Sequence, residues 1–298
     1  MTYLKTNMGY IKREAENILN VSYESLLEEG VKTLERAKIG EARLDAWYLL
    51  SHCFQLDRAQ YLMHRAEIRC VDESILKQYR DMTALRAKRI PLQHILGTQE
   101  FMGFSFLVNE HVLIPRQDTE ILVETVLNDQ KNPKISVLDL CTGSGCIAVS
   151  LALLGHYSRV EGTDISPNAI ETAKKNNSLL HAGVHFYISD LFGAVDGAYD
   201  VIVSNPPYIP REVIPTLEPE VRDHEPYQAL YGPEEGLYFY RRISREAKSK
   251  LLDGGSLYFE IGYDQAQAVS NILKKEGYRE IAVKQDLAGL DRVVMGRI

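Results

Sequence analysis

The chain has 298 residues, which at roughly 150 residues per domain suits about two domains and allows a large buried core. Apolar residues make up 45% of the sequence and charged residues 25%, an ordinary globular composition that excludes a disordered or collagen-like chain. The formal net charge is −7, from 34 basic and 41 acidic residues, and this acidic balance disfavours a protein that grips nucleic acid along its whole surface.

The N terminus and the cysteines indicate where the protein works. Met1 to Tyr10 lack the apolar core of a signal peptide, and no stretch approaches the roughly 18 consecutive apolar residues of a membrane span. The four cysteines have neither a CxxC pair nor zinc-ligand spacing, so neither a disulfide framework nor a metal site is expected. We therefore expect a cytoplasmic protein without membrane attachment.

Residues 1–90 are predicted to form a small all-helical domain. One helix covers 22–38 and is closed by Gly40, a second covers 41–54, and a third begins after Asp72 as its N-cap. The helical repeat places two sets of side chains on buried faces: Leu44, Trp47, Tyr48 and Phe54, then Ile75, Leu76, Tyr79 and Met82. These side chains are expected to form the packed core of the domain.

Residues 91–115 are predicted to link this domain to the rest of the chain. Within them, aromatic and β-branched residues over 99–114 surround Asn109 and Glu110, where a turn would allow the chain to fold back. The linker is therefore expected to contain a β-hairpin with its turn at these two residues.

The domain from 116 to 298 alternates short β-branched runs with helical stretches. This alternation predicts an α/β fold with an open, mainly parallel, Rossmann-like sheet and helices on both faces. The seven predicted strands lie at 135–140, 160–163, 184–188, 199–204, 255–261, 279–285 and 292–297. The last two strands are expected to form an antiparallel hairpin at one end of the sheet.

A glycine-rich loop follows the first predicted strand of this sheet. Gly143 and Gly145 allow a tight turn and a close approach to a ligand, and Gly143-x-Gly145-x-x-Ala148 satisfies the loose dinucleotide fingerprint. Asp164, about twenty residues further on, ends the second strand, where it would hold ribose hydroxyls or merely cap the next helix. The loop alone does not choose between NAD and another adenosine cofactor.

Asp139 changes that balance in favour of S-adenosylmethionine. Its carboxylate stands four residues before Gly143, where it can order the loop and lie near a cationic ligand. A pyrophosphate would be repelled there, whereas a sulfonium and an ammonium would not. After the third strand, Asp190 and Leu191 fall where an adenine amine and ring face could be held.

The fourth strand runs directly into Asn205-Pro206-Pro207-Tyr208. Two prolines fix two φ angles and remove two N–H donors, so the turn cannot continue a β ladder. The Asn205 side-chain oxygen and the Pro206 carbonyl are then two close acceptors, which suits a planar NH2 group, and Tyr208 supplies an aromatic wall. This pattern predicts a site that binds an amide or exocyclic amine and directs its nitrogen toward a methyl donor.

The Asn-Pro-Pro-Tyr turn on such a sheet resembles that of the amino methyltransferases, and other motifs are similar to those of the peptide chain release factor glutamine methyltransferases, the HemK/PrmC family. The resemblance runs from about residue 20 to the C terminus. Its further motifs are Pro91-Leu92-Gln93-His94-Ile95-Leu96-Gly97, Glu100-Phe101, Val112-Leu113-Ile114-Pro115-Arg116, Asp118-Thr119-Glu120-Ile121-Leu122-Val123-Glu124, Glu225-Pro226, Ala229-Leu230, Gly236-Leu237 and Glu260-Ile261-Gly262.

This resemblance implies a cytoplasmic enzyme with a class I methyltransferase sheet and a five-helix N-terminal domain, within 1–90, that docks the release factor. The glutamine of the factor's Gly-Gly-Gln loop would enter the pocket at Asn205 to Tyr208 and be methylated on its side-chain nitrogen, with S-adenosylhomocysteine as the second product. Asn205 and Pro206 would be the catalytic groups, and Pro207 and Tyr208 would complete the substrate pocket. The residues expected to bind the cofactor are Asp139, Cys141, Thr142, Gly143, Ser144, Gly145, Asp164, Asp190, Leu191 and Asn205.

Several points stay open at this level. A nucleic-acid amino methyltransferase could use the same pocket, although the acidic charge and the helical domain argue against it and no nucleic-acid partner is expected. A binding protein without turnover is the second alternative, but Asn205 and both loop glycines are present. Arg116 could close over the cofactor or pair with Asp118, and Glu260 could be a pocket wall or a structural acceptor. A monomer is expected.

Overall fold

A computed structural model describes residues 18–298, which form two compact units that divide between Leu96 and Gly97. The expectation about a signal peptide concerns Met1 to Tyr10 and lies outside the described residues. Within the described range, no helix is both long and apolar enough to cross a membrane.

Over its described residues, from Ile18 to Leu96, the first unit has five helices and a two-stranded antiparallel sheet. The helices are α1 (Tyr23–Arg36), α2 (Ala42–Phe54), α3 (Arg58–His64), α4 (Glu73–Ala87) and α5 (Leu92–Leu96), and the strands are β1 (Ile18–Val21) and β2 (Arg69–Asp72). Helix α1 begins after Ser22, its N-cap, which forms a capping box with Ser25, and α4 begins after Asp72, whose carboxylate accepts from the Ser74 N–H at 2.7 Å. The predicted N-cap at Asp72 is confirmed, whereas the two strands were not expected.

The buried face of α2 differs from the predicted one. Trp47 is buried as expected, but Leu44 and Tyr48 are each 46% exposed. The helix instead buries a face that includes Ala42, Ala46, Leu49 and Leu50. The two alanines on this face allow α1 and α4 to pack closely against it. Gly40 also does not close α1, because the helix ends at Arg36 and Lys38 already adopts a positive φ of 58°.

A β-hairpin begins the second unit, but its turn is not the predicted one. Strands β3 (Thr98–Phe101) and β4 (Phe104–Leu107) are joined at Met102 and Gly103, which both have positive φ. Asn109 lies beyond the hairpin, where its side chain accepts from the His111 N–H at 2.9 Å and donates to Thr172 at 3.0 Å. The prediction failed because this asparagine stabilises a local turn in the chain outside the strands.

The centre of the second unit is a seven-stranded sheet, as predicted. Its strands are β5 (Ser136–Leu140), β6 (Arg159–Asp164), β7 (His185–Ile188), β8 (Tyr199–Ser204), β9 (Leu251–Glu260), β10 (Arg279–Gln285) and β11 (Asp291–Arg297), in the order β10-β11-β9-β8-β5-β6-β7. The five strands from β9 to β7 run parallel, and β11 pairs antiparallel with both β9 and β10. The Rossmann-like architecture and the terminal hairpin are confirmed.

The helices of this unit connect the strands and cover the sheet. They are α6 (Gln117–Asp129), α7 (Cys146–Gly155), α8 (Pro167–Leu180), α9 (Pro219–His224), α10 (Tyr227–Leu230), α11 (Tyr238–Ala247) and α12 (Ala266–Lys275). Two apolar clusters form the core: one includes Val137 and Val149, and the other includes Leu138 and Ile243. Strand β5 therefore buries side chains on both of its faces, as a central parallel strand does.

The strand order reverses at β5, because the chain passes from β5 to β6 on one side and later returns to β8 on the other. In open α/β sheets the crevice at the carboxyl ends of such strands is where ligands bind. The glycine loop leaves β5 at this edge and the Asn-Pro-Pro-Tyr turn leaves β8 beside it, which places the two predicted motifs next to each other.

Candidate active site

The glycine loop turns the chain sharply from β5 into α7. Cys141, Gly143 and Gly145 all have positive φ, at 59°, 55° and 80°. A Cβ at Gly145 would lie 2.9 Å from the Phe186 ring and 3.0 Å from the Ala173 Cβ, so this position has no room for a side chain. The loop backbone consequently packs against α8 and β7, while its other side faces a cleft.

Asp139 lies behind this loop. It is fully buried and does not line the cleft, and the Thr142 hydroxyl donates to its Oδ2 at 2.6 Å. Burial raises the pKa of Asp139 to about 7, against the opposing effects of the Thr142 hydroxyl and the Ala148 N–H. Asp139 is therefore bonded to the loop, as expected. It does not line the cleft, so it is not positioned to contact a ligand there directly.

Asp164 lies in the cleft at the end of β6. Its two oxygens accept from backbone N–H groups, Oδ2 from Gly143 at 3.0 Å and Oδ1 from Ser166 at 2.9 Å. Burial raises the pKa of this carboxyl, although both N–H groups favour its ionised form. Asp164 thus ties the glycine loop to the start of α8, so it has the structural contacts of a cap while also lining the cleft.

The cleft has an empty volume of about 1080 Å³, including its open mouth. Leu191 lines it in a buried position with a φ of 47°, and Asp190 beside it is held by Arg242, whose guanidinium contacts both carboxylate oxygens at 2.8 and 3.2 Å. The sequence-predicted residues that line the cleft are Cys141, Thr142, Gly143, Ser144, Asp164, Asp190, Leu191, Asn205 and Pro207. Gly145 and Asp139 support the loop without lining it.

Sequence reasoning missed several apolar walls of the cleft. Phe239 on α11, Ile165 after β6 and Val112 before α6 all line it. Phe239 supplies an aromatic side chain to the same cleft as Leu191. Val112 belongs to a motif that carried the resemblance but no site role, and no motif marks Ile165 or Phe239, because the three come from distant segments that meet only in the fold.

Two hydrogen bonds and one close backbone approach hold the Asn-Pro-Pro-Tyr turn in place. The Gln265 side chain donates to the Tyr208 carbonyl at 3.2 Å, and the Tyr208 hydroxyl donates to Glu260 Oε1 at 3.4 Å. A Cβ at Gly236 would lie 2.1 Å from the Tyr208 carbonyl oxygen. The Asn205 Nδ2 donates to the Thr119 hydroxyl at 3.5 Å, so the Asn205 amide oxygen is the atom left to accept from a ligand.

A second cavity adjoins the cleft at this turn. Both cavities are lined by Leu113, Arg116, Asn205 and Ala229, and the second is also lined by Pro206, Tyr208 and Glu260. Asn205 thus stands where the two meet. Substrates bound in the two cavities would therefore meet at the residue predicted to hold the acceptor nitrogen.

The structure gives the contacts of the two residues whose roles the sequence left open, and Arg116 does not pair with Asp118. Arg116 pairs with the buried Glu225, while Asp118 pairs with Arg292 at 3.0 Å. Glu260 is 2% exposed and serves both as a wall of the second cavity and as the acceptor for Tyr208. Burial raises the pKa of Glu260 to about 7.

Comparison with known proteins decides the family. The PrmC N-terminal domain family matches residues 25–97, and the methyltransferase small domain family matches residues 116–214. The release factor glutamine methyltransferase of Clostridium botulinum is 39% identical over 280 residues, 92% of this chain and 98% of its own. That of Geobacter sulfurreducens is 43% identical over 274 residues, 92% of this chain and 93% of its own. The chain belongs to the release factor glutamine methyltransferase family.

The fold also matches a solved structure. A methyltransferase from Pyrococcus furiosus aligns with 72% of this chain and 98% of its own, with a TM-score of 0.54 and 18% sequence identity. This likeness supports the class I methyltransferase architecture of the second unit, and membership of the release factor glutamine methyltransferases makes the protein an enzyme of that class.

The packing around Gly236 predicts that this methyltransferase needs a glycine there. We expect Gly236→Ala to lower the rate of methyl transfer at least about tenfold, because the new Cβ must displace the Tyr208 carbonyl and with it the turn. Gly254→Ala is the matched control, since Gly254 has a similar φ of 76° but nothing within 4 Å of the added Cβ. Equal rates in the two variants would contradict this role of the close contact.

Proposed function

We propose that this enzyme transfers a methyl group from S-adenosylmethionine to the side-chain amide nitrogen of the glutamine in the Gly-Gly-Gln loop of peptide chain release factors. One observation carries the proposal: Asn205 of the Asn-Pro-Pro-Tyr turn lies where the cleft meets the second cavity. A methyl donor in the cleft and an amide in the second cavity would therefore face each other across this residue.

The cleft suits S-adenosylmethionine as the donor. A Cβ at Gly143 would meet nothing within 4 Å, so the loop backbone there is open to a ligand near the start of α7, and Asp164 contributes a carboxylate beside it. Asp164 stands where dinucleotide-binding folds also hold ribose hydroxyls, so the choice of S-adenosylmethionine follows from the match to the methyltransferase families. When bound, S-adenosylmethionine supplies an electrophilic methyl group on a positively charged sulfur.

The proposed division of roles follows the geometry. Asp164 would hold the ribose, Asp190 and Leu191 would hold the adenine, and Cys141, Thr142 and Ser144 would contact the donor along the loop. Asp139 would act on the donor only through the loop that it orders, because it is fully buried and bonded to Thr142.

The acceptor amide would be held by two neutral oxygens. The Asn205 Nδ2 is engaged by Thr119, so its Oδ1 and the Pro206 carbonyl can each accept one N–H of the incoming amide. Two such bonds fix the plane of the NH2 group and direct its nitrogen toward the donor, which is catalysis mainly by positioning. Pro207 and Tyr208 would shape the walls around the amide.

A protein substrate is favoured over a nucleic acid. The curated relatives from Clostridium botulinum, Geobacter sulfurreducens and Fusobacterium nucleatum are all release factor glutamine methyltransferases, and the last covers 99% of this chain at 41% identity. We propose that residues 1–90 dock the release factor. The first unit exposes apolar side chains that suit a protein partner: Leu62, Met63 and Ile68.

Transfer of labelled methyl groups tests the proposal. The enzyme is incubated with methyl-labelled S-adenosylmethionine and a purified release factor, and the modified residue is mapped by mass spectrometry. We expect label on the glutamine of the Gly-Gly-Gln loop and none when that glutamine is replaced by asparagine, because the shorter side chain cannot bring its nitrogen to the methyl group. Label on DNA or RNA instead of the factor would overturn the assignment.

Asn205 is expected to matter for transfer far more than for donor binding. Asn205→Ala removes a hydrogen bond to the reacting amide and should lower the turnover rate about a hundredfold, or about 3 kcal/mol. Calorimetry should show a far smaller loss of affinity for S-adenosylmethionine, because Asn205 is one of many residues that line the cleft. Wild-type turnover in this variant would exclude the proposed role.

Asp164 is expected to show the opposite pattern. Asp164→Asn keeps an oxygen for one of the two backbone N–H groups but loses the charge, so we expect about 30-fold weaker S-adenosylmethionine binding, or about 2 kcal/mol. Calorimetry gives the affinity and thermal unfolding gives the stability. A lower melting temperature with unchanged affinity would reduce Asp164 to a structural cap.

A further inference from the structure

Glu260 is a buried acid in the wall of the second cavity. It is 2% exposed, its Oε1 accepts from Tyr208 at 3.4 Å, and its Oε2 has no hydrogen-bond partner among the described residues. Among the described residues that line this cavity, Glu260 alone carries a carboxylate. Keeping a buried carboxylate ionised costs free energy when one of its oxygens accepts no hydrogen bond. A carboxyl group of this kind beside the Asn-Pro-Pro-Tyr turn is therefore a candidate for a chemical role.

Amide methylation produces a proton that must be removed. As the new nitrogen–carbon bond forms, the electron pair of the broken carbon–sulfur bond stays on sulfur, and the positive charge passes to an amide nitrogen that still carries two hydrogens. One N–H bond must then break, with its electron pair returning to nitrogen, before a neutral methylamide can leave. The Asn205 and Pro206 carbonyls accept hydrogen bonds but are too weakly basic to keep this proton.

We propose that the Glu260 carboxylate takes up the proton that the acceptor amide nitrogen loses on methylation. This inference rests on the proposed function. The resulting carboxylic acid returns the proton to water after the product has left, so the enzyme ends the cycle unchanged. Other ionisable groups in the cavity wall are unsuited, because the Arg116 guanidinium is already protonated and the Tyr208 hydroxyl is a donor to Glu260 itself.

The charges around Glu260 fit a carboxyl group that is partly ionised at neutral pH and whose ionised form accepts a proton. Arg292 and the hydroxyls of Thr119 and Tyr208 favour its ionised form, while burial and the nearby Asp118 oppose it. The other titratable groups that face it are Tyr240, whose hydroxyl donates to the Glu260 backbone carbonyl at 2.9 Å, and the buried Cys146. Burial dominates and raises the pKa of Glu260 to about 7.

The test is the pH dependence of a single turnover, with S-adenosylmethionine saturating and a release factor as acceptor, between about pH 5.5 and 8. For the wild-type enzyme we expect a rate that levels off above about pH 7 and falls about tenfold per unit of pH at lower values, because only ionised Glu260 accepts the proton. For Glu260→Gln we expect a rate at least about a hundredfold lower at pH 8 and nearly independent of pH.

Two further variants separate this role from a structural one. Glu260→Asp keeps a carboxylate, so its rate should keep the wild-type pH dependence even if that rate is lower than that of the wild-type enzyme. Glu161→Gln is the matched control: Glu161 also lies on a strand and accepts from tyrosine hydroxyls, Tyr187 at 3.0 Å and Tyr199 at 2.6 Å, but it lines neither cavity. This control should keep the wild-type profile.

The outcomes are distinct. A Glu260→Gln enzyme with the wild-type rate and pH profile would overturn the role of Glu260. A Glu260→Asp enzyme that transfers methyl groups without the pH dependence would overturn it too. Either result would leave the proposed function intact. A wild-type enzyme that binds S-adenosylmethionine but labels no release factor would instead overturn the proposed function.

Discussion

The parallel pairing of β5 with β8 is the constraint on which the site depends. Leu140 pairs with Ser204 at the carboxyl end of the two strands, and the Ser204 hydroxyl donates to the Leu140 carbonyl at 2.8 Å. Because a shift in register would move every side chain of a strand to the other face, this pairing fixes where both following loops begin. The glycine loop and the Asn-Pro-Pro-Tyr turn therefore start side by side, although more than sixty residues separate them along the chain.

Close backbone packing adds to the side-chain hydrogen bonds that hold the two loops in shape. Gly145 lies against Phe186 and Ala173, and Gly236 lies against the Tyr208 carbonyl, each without room for a Cβ. Close contacts of this kind leave little freedom to the groups that touch substrates, and small displacements at a reacting centre lower rates strongly. The scaffold thus provides a reaction that needs positioning more than it needs reactive side chains.

Local motifs could be predicted from the sequence, and long-range support could not. The glycine loop, Asp164 and the Asn-Pro-Pro-Tyr turn each stand next to a strand whose apolar run is visible in the sequence, so their common edge of the sheet followed from the topology. Thr119 contacts Asn205 from 86 residues away, and Glu260 contacts Tyr208 from 52 residues away, and neither pairing leaves a local pattern. For Asp139 the predicted contact with the loop is present, as its bond to Thr142 shows, but its complete burial was not visible in the sequence.

The ionised form of Glu260 that the proposed reaction needs also lowers the free energy of unfolding. Its pKa of about 7 lies above the value near 4.5 that it has in an unfolded chain, so the folded protein binds the proton more tightly than the unfolded one. Its contribution to the free energy of unfolding is therefore absent below about pH 4.5, grows more unfavourable as pH rises through the interval between the two values, and is fully unfavourable above about pH 7. The ionised form that can take a proton from the substrate is the form that the fold tolerates least. Tyr208, Thr119 and Arg292 lessen that cost without removing it, which leaves the carboxylate basic enough to accept a proton at neutral pH.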